Sequence, residues 1–171
     1  MPSVRVLEAS VPSFRYSSYD NTPAATPTDL LTLKGAAGKI IKVRRIVISG
    51  IATTAGNLPI SIIKRTAANT GGTSTAPTPA KADSGDSAAA AAVLALYTAN
   101  PSGLGAGTTL VARRVFFNLT TAQLDRAVFE FGKDGGKPIY LRGASEWLAI
   151  NGNGAALPAG CKIDFDIEWT E

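Results

Sequence analysis

The sequence predicts an all-β protein, an antiparallel β-sandwich, and three observations carry that prediction. About ten or eleven short segments are rich in Val, Ile, Thr and aromatic residues, several alternating with period two. Clusters of Gly, Pro, Asn and Asp separate them. No stretch gives a firm helical signal. Long connections interrupt the hairpins, which favours a jelly-roll-like form over a closed barrel. The 171 residues suit one domain spanning 1–171.

Val4–Glu8 and Ser13–Ser17 alternate and read as short strands, with Pro12 between them. Tyr19–Pro27 reads as a connector, because Pro23 and Pro27 forbid regular pairing. Residues 1–28 are therefore a candidate N-terminal arm. Asp29–Leu33 is the next strand, and Gly35–Gly38 turns it back.

Lys39–Arg65 is the strongest β signal: two β-branched runs around Gly50–Asn57, which predicts a hairpin or a tight strand-to-strand corner. Its first run changes phase. Ile41 and Val43 share one parity, Ile46 and Ile48 the other, and Arg44-Arg45 sits at the break. A β-bulge at that pair keeps all four apolar residues facing one core and lets both arginines reach outward.

Residues 66–92 form a long low-complexity loop with Gly71-Gly72, Pro77, Pro79, no aromatic residue and an alanine run. Two readings stand side by side: a flexible surface loop, or an arm that orders against a neighbouring subunit. The alanine run can also begin a short helix. Val93–Thr98 resumes as a strand. The glycines of Ala99–Gly107 lack the Lys-Ser/Thr and helix that a phosphate cradle needs.

Leu110–Phe117 and Ala127–Phe131 read as strands, with a brief helical turn at Thr120–Arg126 between them. Lys133–Lys137 reads as a hairpin turn, because Asp-Gly and Gly-Gly accept positive φ. Pro138–Arg142 and Glu146–Ile150 are two more strands. Lys162–Thr170 has the cleanest alternation: Ile163, Phe165, Ile167 and Trp169 against Lys162, Asp164, Asp166 and Glu168. Its carboxylates stand about 7 Å apart at strand rise. With no histidine in the chain, they read as a solvated face rather than a cation site.

Composition narrows function. The single cysteine, Cys161, excludes an intrachain disulfide and reads as a small apolar packing residue. The lack of histidine removes the commonest general base and metal ligand. No catalytic, cofactor or metal site is predicted. No secretory signal or membrane span is expected either. Charged residues are only 18%, which suits a surface partly covered in an assembly. Net charge is +4 and pI about 9.4. The cations fall in dispersed pairs rather than a stripe interleaved with aromatics, which disfavours direct nucleic-acid binding and suits acidic patches on a protein.

Six stretches carry a family resemblance: Val43–Gly50, Thr53–Gly56, Ile63–Pro77, Ala95–Pro101, Tyr140–Gly143 and Ile167–Thr170. In these the chain resembles small structural proteins of tailed bacteriophages and prophages, and Lys64–Thr73 is the most specific piece. The resemblance implies a virion protein, foremost a capsid decoration (cement) protein on the outer head surface, present in the host cytoplasm before assembly. It implies binding to the major capsid protein and a homo-oligomer, dimer or trimer. On that reading the contact candidates are the N-terminal segment, the 66–92 loop and Arg44, Arg45, Lys64, Arg65, Lys81, Arg113 and Arg114. The alternative is a tail, baseplate or head-fibre component that touches host or glycan. A carbohydrate-binding sandwich ranks lower, because the strand phases of Tyr140, Trp147 and Trp169 favour burial.

Overall fold

Alternating apolar side chains give most strands one face to bury, and in the computed structural model two six-stranded antiparallel sheets share the resulting core. The structure describes residues 11–89, 94–117 and 126–171. The strand expected at Val4–Glu8, most of the alanine run and the turn expected around residues 120–125 lie outside them.

In chain order the strands are β1 (Ser13–Asn21), β2 (Asp29–Lys34), β3 (Ile40–Ile51), β4 (Gly56–Arg65), β5 (Thr73–Thr75) and β6 (Ala80–Lys81). Then follow β7 (Leu94–Ala99), β8 (Gly107–Phe117), β9 (Ala127–Glu130), β10 (Ile139–Arg142), β11 (Trp147–Asn151) and β12 (Lys162–Thr170). The first sheet runs β10-β3-β12-β1-β6, with β9 also on β3; the second runs β5-β7-β2-β11-β4-β8. The long pairings nest: β1 with β12, β2 with β11, β3 with β9 and β10, β4 with β8.

Ile163, Phe165, Ile167 and Trp169 are all buried, as the alternation of β12 predicts, and Trp169 stacks on Phe14 of β1 with ring centroids 6.0 Å apart. Leu31 and Leu33 of β2, Leu148 and Ile150 of β11 and Leu58, Ile60 and Ile62 of β4 close the core from the other sheet. Cys161 is buried beside them, and burial pushes its thiol up to about 11.

The bulge in β3 is present. Glu168 pairs with Arg45 and Trp169 with Val43, so Arg44 is the extra residue. Ile41, Val43, Ile46 and Ile48 all end fully buried, Arg44 exposed and Arg45 partly so.

Of the two readings of Lys39–Arg65 the corner is the one found, because β3 and β4 lie in different sheets. Other expectations change. Lys133–Lys137 is a turn, with Asp134 at φ 51 and Gly135 at φ 83. It does not join a hairpin: β9 and β10 lie in line along the same edge of β3. β1 runs on to Asn21, shortening the expected connector, and its place between β12 and β6 removes Ser13–Asn21 from any detached arm. The described part of the 66–92 loop is not free. Its Thr73–Thr75 pairs with β7 and its Ala80–Lys81 with β1, so it adds an edge strand to each sheet.

A one-residue slip in β3 turns two large apolar side chains outward, at about 1.5–3 kcal/mol each. Deleting Arg44 should therefore lower stability by about 3 kcal/mol or more. Arg44→Ala should stay within about 0.5 kcal/mol of the parent. Urea denaturation compares them; equal midpoints for the two variants would contradict the bulge assignment.

Candidate interaction surface

Seven cations are the sequence-derived contact candidates, and the fold puts them in different circumstances. Arg65 ends β4 on the face of the second sheet that points away from the main core, yet it is only 5% exposed. Its Nε and Nη2 donate to the two carboxylate oxygens of Asp29, at 2.8 and 2.6 Å. Its Nη1 donates to the Gly105 carbonyl. Asn69 and Asn151 each donate to Asp29 at 2.6 Å, and Gly105 N–H donates to Asn69 at 3.0 Å. The close approach requires glycine at 105, where a Cβ would stand 2.0 Å from the Ala67 carbonyl oxygen. Arg65 is thus an internal clamp and not a contact residue: a guanidinium with matched carboxylate and carbonyl partners can be buried, and its chain neighbour Lys64 cannot be told from it by residue type.

Lys64 is also engaged, with Glu146 at 2.9 Å. Lys81 turns back on its own segment and donates to the Ser84 and Asp86 carbonyls at 3.0 and 2.8 Å. Arg113 joins the two sheets at their edge: it donates to the Val128 carbonyl at 3.2 Å and covers the Phe129 ring at 5.2 Å. Arg114 is exposed and donates to Asn57 at 2.9 Å. Arg45 reaches Asp166 at 3.9 Å. Of the seven, Arg44 alone is exposed with no side-chain hydrogen bond or ion pair to a described residue.

The outer face of the first sheet divides by charge. Its middle and its β9 edge are matched: Arg15 contacts Glu168 at 2.8 Å and Asp166 at 3.5 Å, and at β9 Lys133 contacts Glu130 at 3.3 Å. Those bonds hold the Arg15 guanidinium above its usual range, the Glu168 hydrogen bond first and the Asp166 charge next. Asp164 accepts from the Asp20 N–H at 2.9 Å and the Ser49 hydroxyl at 3.4 Å. The β12 acids are a half-buried ladder rather than an open row. Among the described residues no group of three His, Cys, Asp or Glu can hold a metal, and no helix is long and apolar enough to cross a membrane.

The β10 end of that face is different. Lys42 pairs in register with Tyr140, and Ile40 with Arg142. Beside them stand Lys39 and, at the bulge, Arg44. Tyr140 and Trp147 are half-buried rather than enclosed; only Trp169 of the three aromatics follows the burial expected. Arg142 lies 5.1 Å from the Tyr140 ring centre and Lys34 5.1 Å from that of Trp147. Lys42 and Arg142 were not candidates by sequence, and Tyr140 was read only as a sugar-stacking ring whose strand phase favours burial. The signal was there: each alternates with an inward Ile, Val or Leu, so each faces out, Tyr140 included, against the burial expected of it. Glu146 is the resident acid of this corner. Burial pushes its carboxyl up, but the Lys64 hydrogen bond, the Arg142 backbone N–H and the two cations outweigh that and hold it below the usual range.

No family model matches the chain, and no curated protein or solved structure matches it.

Two consequences are measurable. Arg65→Met leaves Asp29 charged and buried without its cation, at about 3–5 kcal/mol; adding Asp29→Asn should recover part of that. A double variant no more stable than Arg65→Met, by urea denaturation, would refute the clamp. The lowered Glu146 carboxyl contributes stability that is full above its unfolded value and is lost as pH falls through its folded value. Acid titration of Glu146→Gln should show a smaller loss of stability than the parent; identical profiles would refute it.

Proposed function

We propose that the protein is a virion structural protein of a tailed phage, a capsid decoration protein that binds the major capsid protein lattice as a homo-oligomer and stabilises the head. The observation that carries this reading is the nested strand pairing. β1, β2, β3 and β4 pair with β12, β11, β9/β10 and β8, as a long antiparallel ribbon does when it is wrapped into two sheets. That order supports the jelly-roll form, which viral coat domains use widely. The resemblance to tailed-phage structural proteins adds to it: Val43–Gly50 lies on β3, and Ile63–Pro77 runs from the end of β4 through β5.

The same architecture serves lectins. Here the two half-buried outward rings, Tyr140 and Trp147, each carry a cation over one face, which leaves less ring for a sugar. The 66–89 crossing, bonded to its own sheets, supports a contact element that is rigid before it meets the lattice.

Purified particles should contain the protein at a copy number comparable to the major capsid protein. Heads lacking it should assemble and then burst at lower temperature or milder osmotic shock. A few copies confined to the tail, or heads of unchanged stability without it, would overturn the reading.

A further inference from the structure

We propose that the β3–β10 corner, built from Lys39, Ile40, Lys42, Arg44, Tyr140 and Arg142, is a docking site for an extended acidic segment of a partner protein. Lys39, Ile40, Arg44 and Arg142 are exposed, Ile40 at 42%. Lys39, Lys42 and Arg44 make no ion pair with a described residue, whereas Arg15 and Arg45 in the sheet's middle and Lys133 by β9 are matched. The nearby acids have partners of their own: Glu146 contacts Lys64 and accepts from the Arg142 N–H, and Glu171 accepts from Trp169 Nε1 at 3.3 Å.

Geometry selects among anions. Alternate residues of a strand stand about 7 Å apart, so an extended segment with acids at every second position matches the outward residues of β3 and β10. Ile40 supplies an apolar anchor between the charges. Arg142 covers the Tyr140 ring, which takes away the open face on which a nucleobase would stack. One exposed isoleucine gives little insertion into a lipid surface.

The test uses the full chain and fluorescence anisotropy, with a labelled Asp/Glu-rich peptide, labelled oligo-dT and vesicles containing an anionic phospholipid as parallel probes. The peptide should bind, and its affinity should weaken with salt. Lys42→Glu with Arg142→Glu should reduce affinity about tenfold or more, and the neutral pair Lys42→Gln with Arg142→Gln by less. Lys162→Glu, at the far end of β12 from the corner, should leave it unchanged, and thermal melts check that each variant folds. Absence of peptide binding, equal binding by a folded corner variant, or tighter binding of oligo-dT or vesicles overturns the proposal. The assay needs no particle, so its outcome is separate from that of the head-stability experiment.

Discussion

The buried contact between Asp29 and Arg65 holds together parts of the chain that the apolar core does not reach. It joins the start of β2 to the end of β4, and through Asn69, Asn151 and Gly105 it binds two crossing loops to the outer face of the second sheet. A buried ion pair adds little net stability over an apolar replacement, because desolvation offsets the attraction. What it does is make other arrangements costly. A loop that lifts away leaves an amide unbonded or a charge unpaired, so one path is selected for the segment that leads to β5 and β6.

Much of the sandwich was legible because it rests on local pattern. The alternation of β12 and the phase change in β3 both follow from the two-residue repeat of a strand, and the bulge was deducible from Ile41, Val43, Ile46 and Ile48 alone. Sheet assignment was not legible. Nothing in Gly50–Asn57 distinguishes a turn within one sheet from a step to the other, since that depends on strands more than a hundred residues away in the chain, such as β12 pairing with β3. β5 and β6 were invisible because they are held by backbone bonds, with exposed Thr, Ser, Ala and Lys side chains that carry no apolar signal. Doublets hid the fate of their members: in Lys64-Arg65 and Arg113-Arg114 successive side chains point to opposite faces, so the two residues of each pair meet different partners.

The Arg44 bulge links architecture to surface. β3 pairs with β10 on one side of it and with β9 on the other, and the Phe131 N–H donates to the Arg44 carbonyl at 2.7 Å where the partners change. The interruption between β9 and β10 therefore sits where β3 itself breaks register. It also divides the outer face: acids and cations alternate across strands on the β9 side, while cations gather on the β10 side. One extra residue thus keeps the isoleucines inward and separates a neutral field from a positive one.

The nested pairing also sets an order of events. β1 is among the first described segments to leave the ribosome, and its neighbours in the sheet are β12 and β6. Ser13 lies opposite Thr170, so the first sheet cannot close around β1 until nearly all of the described chain has been synthesised. Until then Phe14 and Tyr16 have no Trp169 or Ile167 to pack on. Loop closure over such separations is slow and leaves strand edges open while it proceeds. The second sheet meets the same delay in lesser degree, since β4 and β8 need only the intervening segment. Synthesis therefore favours the β4–β8 pair as the earlier nucleus, with the β3, β2 and β1 pairings closing after it.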